Sequence, residues 1–305
     1  MNQRVFVSGA TGYIGSAVAA RLLRAGYEVL GLTRSKDRAR ALEAFGIQAI
    51  VGDLSRPESF IANLKNCDAM VHTAFDAGSE TAPNDQRALE AAARAVQDGR
   101  LRQLIYTSGV WVHGDQQGRL VDEDAALEPL ELVKWRAAHE DVALDLVELG
   151  VRALILRPAM VYGGAHGTFG GWWQEARERH TVTYPGDGTQ HWAMVHRDDV
   201  ADGYALALEH GNSGERYLLA DGSQLTVREM AEAVAAATGA TAKSRPREDV
   251  IETLGLYGRA LLSDLRVSAA RARRDLGWVP RHTHFVHEAP ALLRDWQAGQ
   301  QATVR

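Results

Sequence analysis

Three glycines near the start of the chain have the spacing of a phosphate-binding turn. Gly9 and Gly12 follow the apolar run at residues 5–7, and Gly15 lies at the start of the amphipathic stretch at residues 14–25. Gly9 permits a tight turn, Gly12 lets the backbone approach a pyrophosphate, and Gly15 allows a helix to pack closely on the strand. The N-terminus of that helix would face the phosphates. The pattern predicts a dinucleotide site; a glycine-rich turn that binds nothing is the alternative.

The residues after the second apolar run indicate which dinucleotide would bind. An NAD site usually has Asp or Glu there, whereas this chain has Arg34 between Thr33 and Ser35. Arg34 could hold a 2′-phosphate through paired donors, so the sequence favours NADP(H), with NAD(H) possible. A solvated surface arginine is the alternative. Asp53 and Leu54, after the third run, are expected beside the adenine, unless Asp53 only caps the next turn.

Other reactive side chains do not form a familiar catalytic motif. The histidines do not form a His-Glu-x-x-His run, and the single cysteine cannot build a thiolate metal site. The Gly-x-Ser-x-Gly turn of serine hydrolases is also missing. We therefore expect no metal ion and no serine nucleophile.

The elements around these residues predict an α/β fold. Short continuous apolar runs alternate with amphipathic stretches as far as residue 156, which is typical of parallel strands joined by crossover helices. We expect a Rossmann-type, doubly wound parallel sheet over residues 1–160. The pattern changes after Pro158, so residues 161–305 are expected to form a smaller mixed, mostly substrate-binding region. This region should return to the sheet at least once, through residues 192–195.

Composition excludes several other classes of function. The 305 residues are 46% hydrophobic and 24% charged, as in ordinary globular proteins. A formal net charge of -5 gives no reason to expect binding to nucleic acid or to an anionic membrane. No stretch reaches the roughly 18 apolar residues of a membrane helix. With one cysteine, Cys67, the protein is expected to be cytoplasmic. Its expected partner is a small-molecule substrate.

Seven motifs occur in an order that resembles the extended short-chain dehydrogenase/reductase family, the relatives of sugar-nucleotide epimerases, dehydratases and dihydroflavonol-type reductases. They lie at residues 9–15, 52–54, 71–74, 106–114, 156–163, 195–201 and 276–280. The resemblance implies that the turn residues Thr11, Tyr13 and Ile14 bind the cofactor and that Ala74 and Phe75 lie along it. It also implies that Thr107 and Ser108 end the strand beneath the nicotinamide, with Pro158, Met160 and Val161 near its carboxamide.

The sequence departs from this family at the catalytic position. The family uses a Tyr followed four residues later by a Lys, but no Tyr lies between Thr107 and Val161. Alignment on Glu140 puts Leu132 in the place of the Tyr and Arg136 in that of the Lys. Arg136 can bridge the ribose hydroxyls, but it stays protonated and is a poor proton shuttle. The usual substrate-binding hydroxyl falls on Gly109. A register based on Lys134, with Leu130 in the Tyr position, also lacks the phenol.

Several side chains could replace the missing acid or line the substrate site. Ser108, as the nearest hydroxyl, and His113 are the catalytic candidates together with Arg136, although a packed, structural role for His113 is the alternative. Residues that would bind the substrate are aromatic or imidazole side chains, and the aromatic ones could instead pack in the core. These candidates are Trp111, Tyr162, His166, Phe169, Trp172, Trp173 and His191.

Three functions follow from these patterns. The first is an NADP(H)-dependent reductase of the atypical extended class that acts on a carbonyl, imine or related group of a small, partly apolar metabolite. The second is a dinucleotide-binding sensor or a non-redox isomerase or cyclase on the same scaffold. A nucleotide-sugar epimerase or dehydratase is the third, although Leu132 argues against it. Helices at residues 84–96 and 133–149 correspond to those that pair in many dimeric relatives, so the resemblance also implies a possible homodimer.

Overall fold

A seven-stranded parallel sheet forms the centre of the computed structural model, which describes residues 3–76 and 78–303. Every pairing in it is parallel, as continuous apolar runs with both faces covered predict. From one edge to the other the strands are β11 (Arg216–Leu219), β7 (Arg152–Pro158), β5 (Gln103–Thr107), β4 (Ala69–His72), β1 (Arg4–Ser8), β2 (Glu28–Thr33) and β3 (Gln48–Val51).

Helices cover both faces of this sheet, which confirms the Rossmann-type fold. One face packs against α1 (Tyr13–Arg24), α7 (Arg197–His210) and α10 (Ala270–Leu276). The other face packs against α3 (Ile61–Leu64), α4 (Thr81–Asp98) and α5 (Lys134–Asp145). α2 (Lys36–Ala44) lies beside β3. Because α1 and α5 begin at the carboxyl edge of the sheet, the loops at this edge gather most of the predicted site residues.

A third hydrophobic core belongs to the C-terminal region. It is built by α6 (Gly167–Arg179), α8 (Val227–Thr238), α9 (Arg247–Leu261) and α11 (Phe285–Thr303). Three two-stranded parallel ribbons lie outside the main sheet. They pair β8 (Met160–Tyr162) with β10 (Met194–His196), β9 (Thr181–Pro185) with β12 (Thr241–Arg245), and β6 (Leu120–Val121) with β13 (Arg266–Val267).

The expected return to the main sheet is made by a different segment. We expected residues 192–195, but β10 pairs with β8 outside the sheet, and β11 instead forms the edge strand next to β7. Both segments are short apolar runs before or after a helix, so hydrophobic pattern alone does not distinguish them. No helix in the described part of the chain is long and apolar enough to cross a membrane.

Candidate functional site

The glycine-rich turn has the tight packing that its spacing predicts. Gly9 adopts φ +73°, and a Cβ there would lie 2.7 Å from the Ala74 Cα. A Cβ on Gly15 would lie 2.1 Å from the Gly9 carbonyl oxygen and 2.5 Å from the Thr73 hydroxyl. Only glycine therefore allows α1 to start this close to β1 and β4.

A cleft of about 640 Å³ opens in front of this turn. α1 begins after Gly12 without a side-chain cap and without an acidic residue in its first turn, so its free N–H groups suit an anion. These are features that a dinucleotide pyrophosphate requires. Ten of the predicted cofactor residues line the cleft: Gly9, Thr11, Gly12, Tyr13, Ile14, Arg34, Asp53, Leu54, Ala74 and Phe75.

The remaining predicted cofactor residues lie outside the lining of this cleft. Gly15 supports the turn from behind, through the close approach to Gly9. Thr107 ends β5, Pro158 ends β7, and Met160 and Val161 begin β8 at the same edge of the sheet.

Arg34, the candidate for binding a 2′-phosphate, lines the cleft directly after β2 ends at Thr33. Its Nη1 is 3.2 Å from an Asp76 carboxylate oxygen, and both side chains are largely exposed. Ser35 and Arg38 also line the cleft beside it, and Ser35 caps α2 by accepting from the Arg38 amide. Asp53 faces the cleft, and it also accepts from the Ser55 amide and hydroxyl, which lower the pKa of the carboxyl. The two roles expected of Asp53, contact with the adenine and capping of the next turn, are therefore compatible.

Tyr13 connects the dinucleotide turn to the start of the C-terminal region. Its hydroxyl donates to the Gly163 carbonyl oxygen at 2.6 Å, and Arg197 lies over its ring at 5.8 Å. The exposed candidate His166 packs edge-on against the same ring, at 6.5 Å between centroids. His166 also borders a second cleft, of about 480 Å³, beside Gly12.

Arg136 occupies the position expected of the family lysine. Its guanidinium lies between the rings of Phe75, at 5.2 Å, and Trp135, at 4.7 Å, and it donates to the Thr107 carbonyl oxygen at 2.5 Å. Lys134, by contrast, is exposed and pairs with Glu131. The geometry thus supports the register based on Glu140. Arg136 joins the Phe75 loop to the end of β5.

Behind Arg136, His113 is held by the buried ion pair between Arg157 and Glu140. Arg157 donates to both carboxylate oxygens of Glu140, at 2.9 and 2.5 Å, and to the His113 Nε2 at 3.1 Å. Although burial opposes its charge, the Arg157 contacts hold the pKa of Glu140 below its ordinary value. Burial, followed by the Arg157 charge, lowers the pKa of His113 to about 4. His113 has no exposed surface, which corrects the expectation that it faces a substrate.

The hydroxyls of Thr107, which ends β5, and of Ser108, the next residue, lie toward opposite faces of the sheet. The Thr107 Oγ1 lies 2.6 Å from the hydroxyl of Tyr204, which comes from α7 on one face of the sheet. Ser108 is 7% exposed. It lies near Glu140 on the opposite face, where it helps to lower the pKa of that carboxyl. Ser108 is therefore a poor substitute for the missing acid.

The predicted substrate residues divide between the core and the surface. Tyr162, Phe169 and Trp173 are buried in the third hydrophobic core, which corrects their assignment as cavity walls. Tyr162 donates to the His282 carbonyl oxygen at 3.2 Å, so its phenol is already satisfied. Trp172 is nearly buried but borders a cavity of about 520 Å³ between α6, β9, β12 and α9.

Two other predicted substrate residues remain at accessible positions. His191 is partly exposed and pairs with Asp264 through its Nδ1, at 3.0 Å. Trp111 lies in the 3-10 helix Val110–His113, directly after β5, with part of its surface exposed. Its indole packs edge-on against Tyr257, at 6.1 Å between ring centroids.

A buried polar network beneath the cleft was not predicted. Asp85 accepts from Tyr106 at 2.8 Å and lies 3.0 Å from the His72 Nε2 and 2.7 Å from the His139 Nδ1. Burial opposes its charge, but the hydrogen bonds from both histidines hold the pKa of Asp85 well below its ordinary value. His72, on the buried strand β4, has a structural role in this network. The contribution of His139 depends on contact between α4 and α5, which sequence spacing does not reveal.

Comparisons with known proteins agree with this architecture. The profile of the NAD dependent epimerase/dehydratase family matches residues 5–220. An uncharacterized protein of Schizosaccharomyces pombe is 32% identical over 286 residues, covering 92% of this chain and 96% of the relative. A relative from Stigmatella aurantiaca is 27% identical over 332 residues, covering 98% of each chain. Its name is 4-hydroxy-2-methyl-3-oxo-4-farnesyl-3,4-dihydroquinoline-1-oxide ketoreductase.

A solved structure shows the same fold over nearly the whole chain. It is a double mutant of the dTDP-glucose 4,6-dehydratase from Streptomyces venezuelae, with NAD bound. The TM-score is 0.83 at 23% identity, with 98% of each chain covered. At this identity the similarity supports the fold and leaves the substrate open.

Proposed function

Because the chain belongs to the NAD dependent epimerase/dehydratase family, we propose that it is an NADP(H)-dependent reductase. Its substrate would be a carbonyl, imine or related group on a small, partly apolar metabolite. The observation that carries this proposal is Arg34, which lines the cleft directly after β2, with Ser35 and Arg38 beside it. A guanidinium and a hydroxyl suit a 2′-phosphate, whereas an NAD site usually offers a carboxylate at this point.

The residues of the cleft have distinct parts in this function. The turn at Gly12 would hold the pyrophosphate through the N-terminus of α1, and Arg34 the 2′-phosphate. Arg136, fixed at the end of β5 by Thr107, would bind the nicotinamide ribose. Bound NADPH would supply a hydride to the electrophilic carbon of the substrate. The protein must then position that substrate and deliver a proton to its heteroatom.

Several observations favour reduction over sugar-nucleotide chemistry. The ketoreductase relative acts, by its name, on the oxo group of a farnesyl-bearing dihydroquinoline-1-oxide. Trp172, Trp192 and Leu261 give the neighbouring cavity an apolar wall. Reversible oxidation of a sugar hydroxyl needs a strong base at the place of Leu132, which a leucine cannot provide.

Binding without redox turnover is the second candidate. The observation that favours it is the loss of three reactive positions, where Gly109, Leu132 and Arg136 replace the family's hydroxyl, phenol and amine. If the chain only binds a dinucleotide, bound NADPH should remain unoxidised in the presence of any substrate.

NADPH consumption separates the two candidates. Absorbance at 340 nm would be followed with purified protein and a panel of aromatic and aliphatic aldehydes, ketones and cyclic imines. We expect at least one compound to give protein-dependent oxidation. Tight NADPH binding with no oxidation across the panel would favour the non-redox function instead.

We also propose that the protein forms a homodimer through α4 and α5. The two helices pack side by side on one face of the sheet and expose Arg94, Ala138 and Asp141. The support is the family, since many members pair these helices across a four-helix interface.

A further inference from the structure

The protein has eight tyrosines, and the structure accounts for most of their phenols. Five hydroxyls have partners inside the fold, and Tyr184 is almost fully buried beneath Arg228. Tyr27 lies in the turn before β2, at the amino edge of the sheet, away from the cleft. The five hydroxyls with hydrogen-bond partners inside the fold are those of Tyr13, Tyr106, Tyr162, Tyr204 and Tyr217. The remaining phenol is that of Tyr257, whose hydrogen bond with Thr168 is at an exposed position.

Tyr257 lies in the second half of α9, after a break in the helix. Gly255 has φ 56° and ψ −127°, so the helix axis changes direction two residues before the phenol. The side chain is 37% exposed. Its hydroxyl lies 3.0 Å from the Thr168 Oγ1, and its ring meets Trp111 edge-on at an interplanar angle of 69°.

These contacts link Tyr257 to two segments that lead to the cleft, the one that follows β5 and the one that packs on Tyr13. Trp111 follows β5 directly, so one side of the phenol faces the strand end that should underlie the nicotinamide. Thr168 follows Gly167, where a Cβ would lie 3.0 Å from the Tyr13 ring, so the other side faces the glycine-rich turn. α9 also packs against the 3-10 helix Glu131–Val133. That short helix contains Leu132, which stands where the family has its catalytic phenol.

We propose that Tyr257 is the general acid of the reduction, supplied by α9 in place of the tyrosine that Leu132 replaces just before α5. The inference rests on the proposed reductase function. The Tyr257 O–H bond breaks as an O–H bond forms on the substrate carbonyl oxygen. The hydride from NADPH forms the new C–H bond and leaves NADP+. Because Tyr257 is partly exposed, water can reprotonate its phenolate after each turnover.

The other candidate acids are less suited to this step. His113 has no exposed surface and a lowered pKa, so it is neutral at pH 7 and holds no proton to donate from its Arg157-facing nitrogen. Ser108 lies on the α5 side of β5, and a serine hydroxyl is a much weaker acid than a phenol. Thr168, hydrogen-bonded to Tyr257, serves as a positioning residue that orients the phenol.

Chemical footprinting tests the location of the phenol without any substrate. N-acetylimidazole acetylates accessible tyrosines, and peptide mass spectrometry gives the rate at each one. NADPH at ten times its Kd should slow acetylation of Tyr257 about tenfold, because only the free fraction reacts. Saturating 2′,5′-ADP, which lacks the nicotinamide half, should leave that rate unchanged. Tyr27, distant from the cleft, is the internal control and should react equally in all samples.

Activity tests the chemical role. With 4-nitrobenzaldehyde as the carbonyl probe, Tyr257→Phe should lower kcat by about 100-fold or more, the usual contribution of a general acid. The Kd for NADPH and the thermal midpoint should stay within error of wild type, because the lost hydroxyl is exposed. Tyr27→Phe should match wild type, and Thr168→Val should lower kcat less than Tyr257→Phe does.

The outcomes separate this inference from the proposed function. If NADPH does not bind, the proposed reductase function fails. If NADPH binds but acetylation of Tyr257 is not slowed, or Tyr257→Phe reduces the probe as fast as wild type, the assignment of Tyr257 is wrong while the function stands. Where 4-nitrobenzaldehyde is not reduced by wild type, the footprint alone decides.

Discussion

At the scale of single residues, the proposed cofactor choice depends on the charges around Arg34. Arg34 pairs with Asp76, and each is about two-thirds exposed. A surface pair of this kind contributes little to stability, so its effect should appear mainly in binding. The Asp76 carboxylate pairs with the Arg34 guanidinium, and it would also repel a bound 2′-phosphate.

Asp76→Asn should therefore tighten NADPH binding. We expect the Kd for NADPH to fall about two- to fivefold, as for a screened surface charge, while the Kd for NADH changes little. Asp37→Asn is the matched control, since Asp37 forms a similar exposed pair with Arg40 outside the cleft lining. Equal tightening of NADH would show that Asp76 does not act on the 2′-phosphate.

His113 predicts how stability depends on pH. Its pKa is about 4 in the folded protein and about 6.5 when unfolded, so folding favours the neutral ring. The stabilisation is present above pH 6.5 and is lost as pH falls toward 4. The loss should be on the order of 3 kcal/mol, measured by urea unfolding across this range.

His113→Gln should remove this part of the pH dependence, because glutamine can accept from Arg157 but does not titrate. His210→Gln, at an exposed histidine, should leave the dependence as in wild type. A His113→Gln profile as steep as that of wild type would contradict the assignment.

At the scale of elements, α1 and β1 illustrate what the sequence can predict. The spacing of Gly9, Gly12 and Gly15 specifies a local turn, and local turns are determined by backbone conformation that a sequence shows directly. Ten of the residues predicted to bind the cofactor line one cleft in front of this turn. The proposed general acid lies on α9, which comes from a distant part of the chain and meets Trp111 only in the tertiary structure. Neither α9 nor its break at Gly255 was predicted.

The burial of the aromatic side chains also shows what the sequence predicts and what it does not. Tyr162, Phe169 and Trp173 occur in a glycine-rich region that suggests a loop over the site, yet all three pack in a core. An aromatic pattern suits a cavity wall and a core equally well, so only packing partners decide. Trp111, directly after β5, is accessible as expected.

Gly15→Ala tests the contact between α1 and the sheet. The new Cβ would meet the backbone of Gly9, which cannot move without displacing the turn. We expect a loss of about 1–3 kcal/mol in the free energy of unfolding and a large loss of NADPH affinity. Chemical denaturation and fluorescence titration measure the two effects. Gly171→Ala, in α6 with open space at its Cβ position, should instead be neutral or slightly stabilising.

For the whole molecule, the proposed dimer gives a direct test. Sedimentation equilibrium should show twice the 33.3 kDa mass of one chain. Ala138→Arg places a large charged side chain on the exposed face of α5 and should shift the protein to monomer. Ala291→Arg, on the exposed face of α11, should stay dimeric. A wild-type monomer at micromolar concentration would refute the interface.

Cofactor binding tests the central claim most directly. Wild type and Arg34→Ala would each be titrated with NADPH and NADH, following energy transfer from the seven tryptophans to the nicotinamide. We predict that wild type binds NADPH at least about tenfold more tightly than NADH and that Arg34→Ala loses this preference while still binding NADH. Equal affinities in wild type would contradict the NADP(H) assignment, and no binding of either cofactor would contradict the proposed reductase itself.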